Sequence, residues 1–338
     1  MKKIIVTGGA GFIGSHTVVE LHHAGFIPII IDNFSNSDDR ILDGLKEILG
    51  YAPTLYRIDV TDKQAVRQVF QHEQADGLIH FAAYKAVGES VSQPLKYYHN
   101  NVLGLLSILE VMMEFGVHAF VFSSSCTVYG QPEFNPVTET SPFLFAESPY
   151  GASKQMGERI IADLHEATAE FGAVVLRYFN PIGAHESAAI GELPFGLPSN
   201  LIPFITQTAA GWHRELSIFG NDYNTPDGSC VRDFIHVVDL AKAHVRALHY
   251  LSENANCLEV FNLGQGKGHS VLEVVKAFEK VSGLSLAYNI AKRREGDVEK
   301  IWSDTTRSKE MLGWKTEKTL EDALRDAWRW QQKLSPKA

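Results

Sequence analysis

Cysteine is scarce in this chain: Cys126, Cys230 and Cys257 are the only three among 338 residues. An odd number at such wide spacing offers neither a disulfide framework nor a CxxC metal site, and a reducing cytosol is the expected compartment. Positive charge is also short, with 31 Lys and Arg against 40 Asp and Glu and a formal net charge of −9. That balance excludes a nucleic-acid footprint, which needs clustered cations to neutralise phosphates, so an anionic ligand must be met locally by a few arginines such as Arg232, Arg293 and Arg294. No apolar run approaches the roughly 20 residues needed to cross a bilayer. The start, Met1 to Val6, runs into Thr7-Gly8-Gly9 before an apolar signal segment can form, so no leader is expected. Paired-carboxylate, HExxH and GxSxG signatures are missing, which leaves glycosidase, zinc-peptidase and serine-hydrolase chemistry without support. The 14 histidines are scattered, and no metal site is expected.

The first half alternates short β-branched runs with longer helical patterns, placing strands near 3–7, 28–32, 54–58, 77–81, 118–123 and 173–179. Runs such as Val117 to Phe122 are continuously apolar rather than alternating, which indicates a parallel sheet covered on both faces by helices. The expected fold is therefore a doubly wound α/β sheet of the Rossmann type with a smaller, interleaved C-terminal α/β lobe. Residues 1–180 are assigned to the dinucleotide-binding domain, with 234–263 returning to it, and 181–233 and 264–338 to the lobe. Gly and Pro recur through 183–203 and 220–228, and a strand near 260–263 precedes a helical segment over 270–281.

Gly9-Ala10-Gly11-Phe12-Ile13-Gly14 satisfies GxGxxG, and Gly8, Gly11 and Gly14 form a second register three apart. The apolar strand Lys3 to Thr7 leads in and a helical stretch from Phe12 to His23 leads out, so the glycines sit on a strand-to-helix turn. There they permit a tight turn, close approach of backbone N–H groups to a pyrophosphate and close helix–sheet packing. The helix N-terminus adds partial positive charge. Asp32 ends the second apolar run, where a carboxylate can accept hydrogen bonds from an adenosine ribose and repel a 2′-phosphate, which favours NAD over NADP. Asp59 closes the third strand and is expected to meet the adenine amine.

Tyr150 and Lys154 stand four apart, which on a helix places them on one face about 5–6 Å from each other. A second such pair, Tyr288 and Lys292, falls in a strand-like run, where four residues span about 13 Å and no coupling follows. The first pair opens a helix behind Pro149. A phenol ordinarily ionises near pH 10, so acting as a base near pH 7 needs a depression of about three units, expected from Lys154 and a nicotinamide cation. Ser123 to Gly130 follows a buried strand at the carboxyl edge of the sheet; Ser125 is expected to hydrogen-bond the reacting hydroxyl or relay its proton, with Ser123 or Ser124 capping backbone groups and Cys126 packed.

The strings Thr7 to His16, His80 to Ser90, Ser123 to Gly130, Ser148 to Lys154, Leu176 to Pro181, Val231 to Asp233 and Arg293 to Asp297 together resemble the extended short-chain dehydrogenase/reductase family, in its nucleotide-sugar epimerase branch, over nearly the whole chain. The resemblance implies reversible C4 epimerisation of a UDP-hexose through a 4-keto intermediate, with hydride passing to and from a retained NAD, and Tyr150, Lys154 and Ser125 as the catalytic set. It implies cofactor contacts from Gly8, Gly11, Phe12, Ile13, Gly14, Asp32, Asn33, Asp59, Val60, Phe81, Ala82, Lys85, Asn100, Ser123 and Tyr178, besides Tyr150 and Lys154. Sugar-nucleotide contacts fall on Ser125, Tyr150, Asn180, Asn200, Arg232, Arg294, Asp297 and Ile301, and an arginine fork suits a diphosphate. Ile301 replaces the bulky Tyr of members restricted to UDP-glucose and UDP-galactose, so UDP-GlcNAc and UDP-GalNAc are expected to fit as well; Ser199 stands where Asn is usual. Two rivals are carried: a 4,6-dehydratase, whose relatives bear Asp-Glu where this chain has Cys126-Thr127, and a non-catalytic NAD-binding sensor. A homodimer built on helices around 91–115 and 149–169 is also implied.

Overall fold

A computed structural model describes residues 1–294 and 297–335. Its strands, in chain order, are β1 (Lys3–Thr7), β2 (Ile27–Ile31), β3 (Thr54–Tyr56), β4 (Gly77–His80), β5 (Ala119–Ser125), β6 (Gly172–Tyr178), β7 (Asn180–Ile182), β8 (Leu216–Phe219), β9 (Val231–His236), β10 (Leu258–Leu263), β11 (Gly268–Ser270), β12 (Tyr288–Ala291) and β13 (Lys300–Ile301). Seven of them form one sheet in the order β10-β6-β5-β4-β1-β2-β3, and every pair in it is parallel. The apolar strands are buried on both faces: Ile4, Val6, Ile30, Ile79, Val121 and Val174 pack into one cluster, and Ile5, Ile29, Ile31, Leu78, Phe120 and Val175 into another. Neighbouring side chains along each strand thus point to opposite cores, as a two-sided sheet demands. Strand order reverses between β1 and β4, and the crevice beyond their carboxyl ends is where this architecture binds ligands.

The third strand is shorter than 54–58, because β3 pairs with β2 only through Tyr56. The fifth is longer than 118–123: Ser123, Ser124 and Ser125 lie within β5 and pair with Leu176, Arg177 and Tyr178 of β6. The stretch 91–115 is not one long helix. It is built from Val87–Ser92, Pro94–Tyr98, a π-helical turn His99–Leu103 and Gly104–Glu114, with Pro94 at the first break. A second sheet centres on β9, which pairs with β7, β11 and β13. So β9 sits outside the main sheet, while the helix that follows it, Val237–Glu253, packs on the helix Phe12–His23, and β10 closes the main sheet's edge. Because β6 runs into β7 with Phe179 alone between them, the chain passes from one sheet to the other beside the crevice.

Candidate active site

One cavity of about 710 Å³ runs from the glycine turn to the second sheet. At its first end Gly8 adopts a left-handed φ of +70°, and a Cβ there would come 2.9 Å from the Ala82 backbone nitrogen. A Cβ on Gly14 would lie 2.1 Å from the Gly8 carbonyl oxygen, so a side chain at either position would force the turn apart. Asp32, buried at the end of β2, accepts from the Ala10 N–H (3.0 Å), the Phe34 N–H (2.9 Å) and the Ser37 hydroxyl (2.8 Å). A carboxylate has about four acceptor sites, so capacity remains for a ribose hydroxyl, and its charge opposes a phosphate. A dinucleotide without a 2′-phosphate fits this end. Asp59 accepts from the Asn33 amide (2.7 Å) and from the Thr61 N–H and hydroxyl, which stabilises the turn after β3 and leaves acceptor capacity on the carboxylate.

The helix Pro149–Ala167 begins at a Ser148 cap, whose hydroxyl accepts from the Gly151 N–H at 3.2 Å. Tyr150, Lys154 and Glu158 follow at intervals of four on one buried face. Lys154 Nζ donates to the Ser123 carbonyl at 2.6 Å and lies 6.0 Å from the centre of the Tyr150 ring. The expected depression of the phenol rests on Lys154 and a nicotinamide cation together, and the chain alone does not supply it. Burial pushes the Tyr150 phenol above its ordinary range and the neighbouring Tyr178 adds to this, while hydrogen bonding with Ser125 opposes it. Burial also pulls Lys154 down to about 8, against the pull of Glu158. The chain without a dinucleotide therefore holds a neutral phenol, chiefly because the hydroxyl is buried.

The serines also divide their work differently from expectation. Ser125 accepts from the Thr127 N–H at 3.2 Å, capping the 3-10 turn Cys126–Tyr129 while lining the cavity. Ser123 and Ser124 cap nothing: Ser123 is hydrogen-bonded to the Tyr178 hydroxyl at 2.5 Å and does not line the cavity, and Ser124 donates to Glu158 at 2.5 Å. Arg177, beside Ser124 on β6, clasps Glu158 through Nε (3.0 and 3.1 Å) and Nη2 (2.7 Å) and donates from Nη1 to the Tyr129 hydroxyl and the Glu139 carbonyl. This buried network fixes the Tyr150 helix to the strand bearing Ser125. It escapes sequence reading because an interior Glu and Arg look like surface charges until they are paired. The Cys126 thiol is pushed up to about 12 by burial, consistent with a packed side chain.

At the far end Arg294 donates to Asp297 from Nε (3.1 Å) and Nη2 (2.8 Å), and Arg232 Nη2 stands 3.8 Å from the same carboxylate. Arg294 also reaches the Ser199 carbonyl at 3.3 Å. Glu295 and Gly296 of the motif lie outside the described residues. Asn180, Asn200 and Ile301 share this wall, Ile301 being paired with Arg232 in register and packed with Val128, Tyr129, Val137 and Phe179. Phe12, Ile13, Asn33, Val60, Phe81, Lys85, Asn100 and Tyr178 line the cavity too; Asp59, Ser123 and Ser124 do not, and Arg293, offered as a ligand for an anion, stands outside it and donates to Asp222 at 2.7 Å. Glu192, Leu193, Pro194, Phe195 and Leu197 also line it and were not anticipated, since an aperiodic Gly/Pro-rich segment carries no positional signal.

A model of the GDP-mannose 4,6-dehydratase family matches residues 5–327. The chain is 52% identical over 328 residues to the UDP-glucose 4-epimerase of Bacillus subtilis, an alignment that covers 97% of this chain and 96% of that one. In structure it is similar to the UDP-glucose 4-epimerase of Stenotrophomonas maltophila with bound NAD and formylated UDP-arabinopyranose (TM-score 0.96, 44% identity, 99% of each chain). It is equally similar to that of Bifidobacterium longum in complex with NAD+ and UDP (TM-score 0.96, 44% identity, 98% of each chain). The chain belongs to that family and to the UDP-glucose 4-epimerases. The acid–base pair that the resemblance gives to dehydratases is replaced here by Cys126 and Thr127, which line the cavity; burial keeps the Cys126 thiol protonated, and Thr127 carries no titratable group.

Proposed function

We propose that this chain interconverts UDP-hexoses at C4 with NAD held in the cavity, and that Tyr150 handles the proton of the O4 hydroxyl. The observation that carries the reading is the single cavity that joins a glycine cradle and Asp32, a buried Tyr150 beside Ser125 and Lys154, and the Arg232–Asp297–Arg294 cluster. In this reading Gly8, Gly11, Gly14 and Asp32 would hold the dinucleotide, with Phe12, Ile13, Asn33, Val60, Phe81, Ala82, Lys85, Asn100 and Tyr178 around it. Bound there, NAD would supply a group that accepts and returns a hydride, and a positive charge beside Tyr150 in addition to that of Lys154. Ser125 orients the reacting hydroxyl and favours the phenolate by hydrogen bonding. Lys154 contributes a buried cation whose position is set by the Ser123 carbonyl. Asn180, Asn200, Arg232, Arg294 and Asp297 engage the UDP moiety, and the residues 181–233 and 264–335 form most of that wall. Coupled assay of purified protein with UDP-galactose tests this: formation of UDP-glucose at unchanged mass supports it, and loss of water from the product would overturn it in favour of dehydration.

Sugar breadth turns on Ile301, an apolar side chain smaller than Tyr on the wall facing the sugar end. We infer that UDP-GlcNAc and UDP-GalNAc are substrates as well. No detectable turnover of UDP-GlcNAc would sink this. The helices Pro94–Tyr98 and Pro149–Ala167 pack together and leave Leu95, Leu106 and Met156 exposed nearby, which supports a homodimer; sedimentation at the monomer mass would overturn it. No helix among the described residues is long and apolar enough to cross a membrane, in keeping with a cytoplasmic enzyme, and fractionation of cells tests the compartment.

A further inference from the structure

A cavity destined for anions is an unfavourable place for carboxylates, so each one on its wall calls for a reason. Asp32 is held by the Ala10 and Phe34 N–H groups, and three more are neutralised by near neighbours in sequence: Asp297 by Arg294, Glu89 by Lys96, and Asp38 by Arg40. Glu192 is different. Its Oε1 accepts from Lys85 Nζ at 3.1 Å and from Asn200 Nδ2 at 2.7 Å, so one oxygen joins a residue on the loop after β4 to one at the start of the helix Leu201–Ala209. Lys85 stands 107 residues before Glu192, and all three residues line the cavity.

The carboxylate is itself anchored. Its main-chain carbonyl accepts from Trp330 Nε1 at 3.0 Å, and a Cβ on the preceding Gly191 would lie 2.5 Å from the Trp330 ring, so the indole seats this point of the loop against the C-terminal helix. With Glu192 held, the following Leu193, Pro194, Phe195 and Leu197 line the cavity from a fixed root, although Phe195 and Leu197 are themselves exposed. The Lys85 ammonium is 44% exposed and Glu192 13%, so the ion pair contributes little to stability. Its value is geometric: two long, rotatable side chains on opposite elements are set before a ligand arrives, which lowers the ordering cost of binding.

We propose that Glu192 is a positioning residue that ties Asn200, on the sugar-nucleotide side, to Lys85, on the dinucleotide side, and so presets Asn200 for sugar-nucleotide binding. This rests on the epimerase reading for its substrate, but its test is a binding measurement that does not need turnover. In the full chain with its NAD, Glu192→Ala raises the dissociation constant for UDP and the KM for UDP-galactose about tenfold, while kcat stays within about twofold, as loss of uniform binding requires. Asn200→Ala also weakens UDP binding, and the double variant is weakened less than the product of the two single effects, because Asn200 has already lost its tether. Trp330→Phe, which keeps the ring and loses the hydrogen bond, moves the same constants in the same direction by a smaller factor. If Glu192→Ala does not fold, the cycle is run with Glu192→Gln, which keeps the volume and removes the charge facing Lys85. An unchanged UDP dissociation constant, or strict additivity with Asn200→Ala, overturns the proposal. Failure of the wild type to turn over UDP-galactose would instead overturn the epimerase reading and leave this binding result standing.

Discussion

The two walls of the cavity solve the problem of polar groups near a ligand in opposite ways. On the wall built by the main sheet, Tyr150, Lys154, Ser125 and Asp32 are buried and bonded to backbone or to neighbours that are themselves buried. Behind them the Arg177–Glu158 pair is 6% and 7% exposed. On the opposite wall, Arg294 is nearly half exposed and pairs with Asp297, whose side chain is 15% exposed. A low-dielectric wall fixes geometry and shifts protonation, at the risk of large losses when one group goes missing. A wet wall of paired charges can exchange its partners for those of a ligand. The difference assigns chemistry to the first and recognition to the second.

The comparison is tested most strongly at its chemical end. Tyr150→Phe removes one hydroxyl from the buried wall and is expected to lower kcat by about 10²–10⁴-fold, the usual worth of a positioned acid–base group, while NAD remains bound after gel filtration. A variant with turnover within a factor of two of wild type would deny the phenol its role and revive the sensor reading. Next in size is Glu158→Gln, which leaves Arg177 buried with a weakened partner. Breaking a buried ion pair costs about 3–5 kcal/mol, so the urea midpoint falls well below that of the wild type. If stability is unchanged, the network is not what ties the Tyr150 helix to β5.

The walls also differ in how far the sequence reveals them. The sheet wall is made of contiguous strings, because a strand end, a turn and the next helix bring Gly8 to Gly14, Asp32 and Tyr150 to Lys154 into place locally. Physical rules for turns and helices therefore reach those residues without knowing the rest of the fold. They do not reach what the groups bond to. The Ser123 carbonyl lies 31 residues from Lys154, and no local rule names it as the partner of the ammonium. On the recognition wall Asn180, Arg232 and Ile301 converge because β7, β9 and β13 share a sheet; the charge balance offered Arg232 and Arg294, and family resemblance alone pointed to Asn180, Asn200 and Ile301. Glu192 was invisible to both, since its partners are set by tertiary contacts of an aperiodic loop.

Acid should damage the sheet half first. Burial holds His16 and His80 down to about 3 and His244 to about 4, against 6.5 for each in its ordinary state. Their folded values lie below the unfolded one, so below pH 6.5 the unfolded chain takes up protons that the folded chain refuses. Stability is then complete above about pH 6.5 and is lost as pH falls toward 3–4. Each histidine contributes a slope of about 1.4 kcal/mol per pH unit, or about 4 kcal/mol per unit together. Urea midpoints that are level between pH 6 and pH 5 would show that these side chains are not neutral in the folded protein.

The smallest expected effect belongs to the recognition wall. Arg294 is 48% exposed and held by Asp297 and the Ser199 carbonyl, so removing it strands no buried charge. Arg232 stands 3.8 Å from the same Asp297 carboxylate and remains to neutralise it. Arg294→Ala should therefore leave the unfolding free energy within about 0.5 kcal/mol of wild type, as surface changes usually do. A charge-assisted contact to a diphosphate is worth about 1.5 kcal/mol at such a site, so KM for UDP-galactose rises roughly tenfold and kcat is nearly kept. Steady-state kinetics and a denaturation curve on the one variant separate the two walls. A large fall in kcat would place Arg294 with the chemistry, and a large fall in stability would place it with the buried network, and either result erases the division of labour between them.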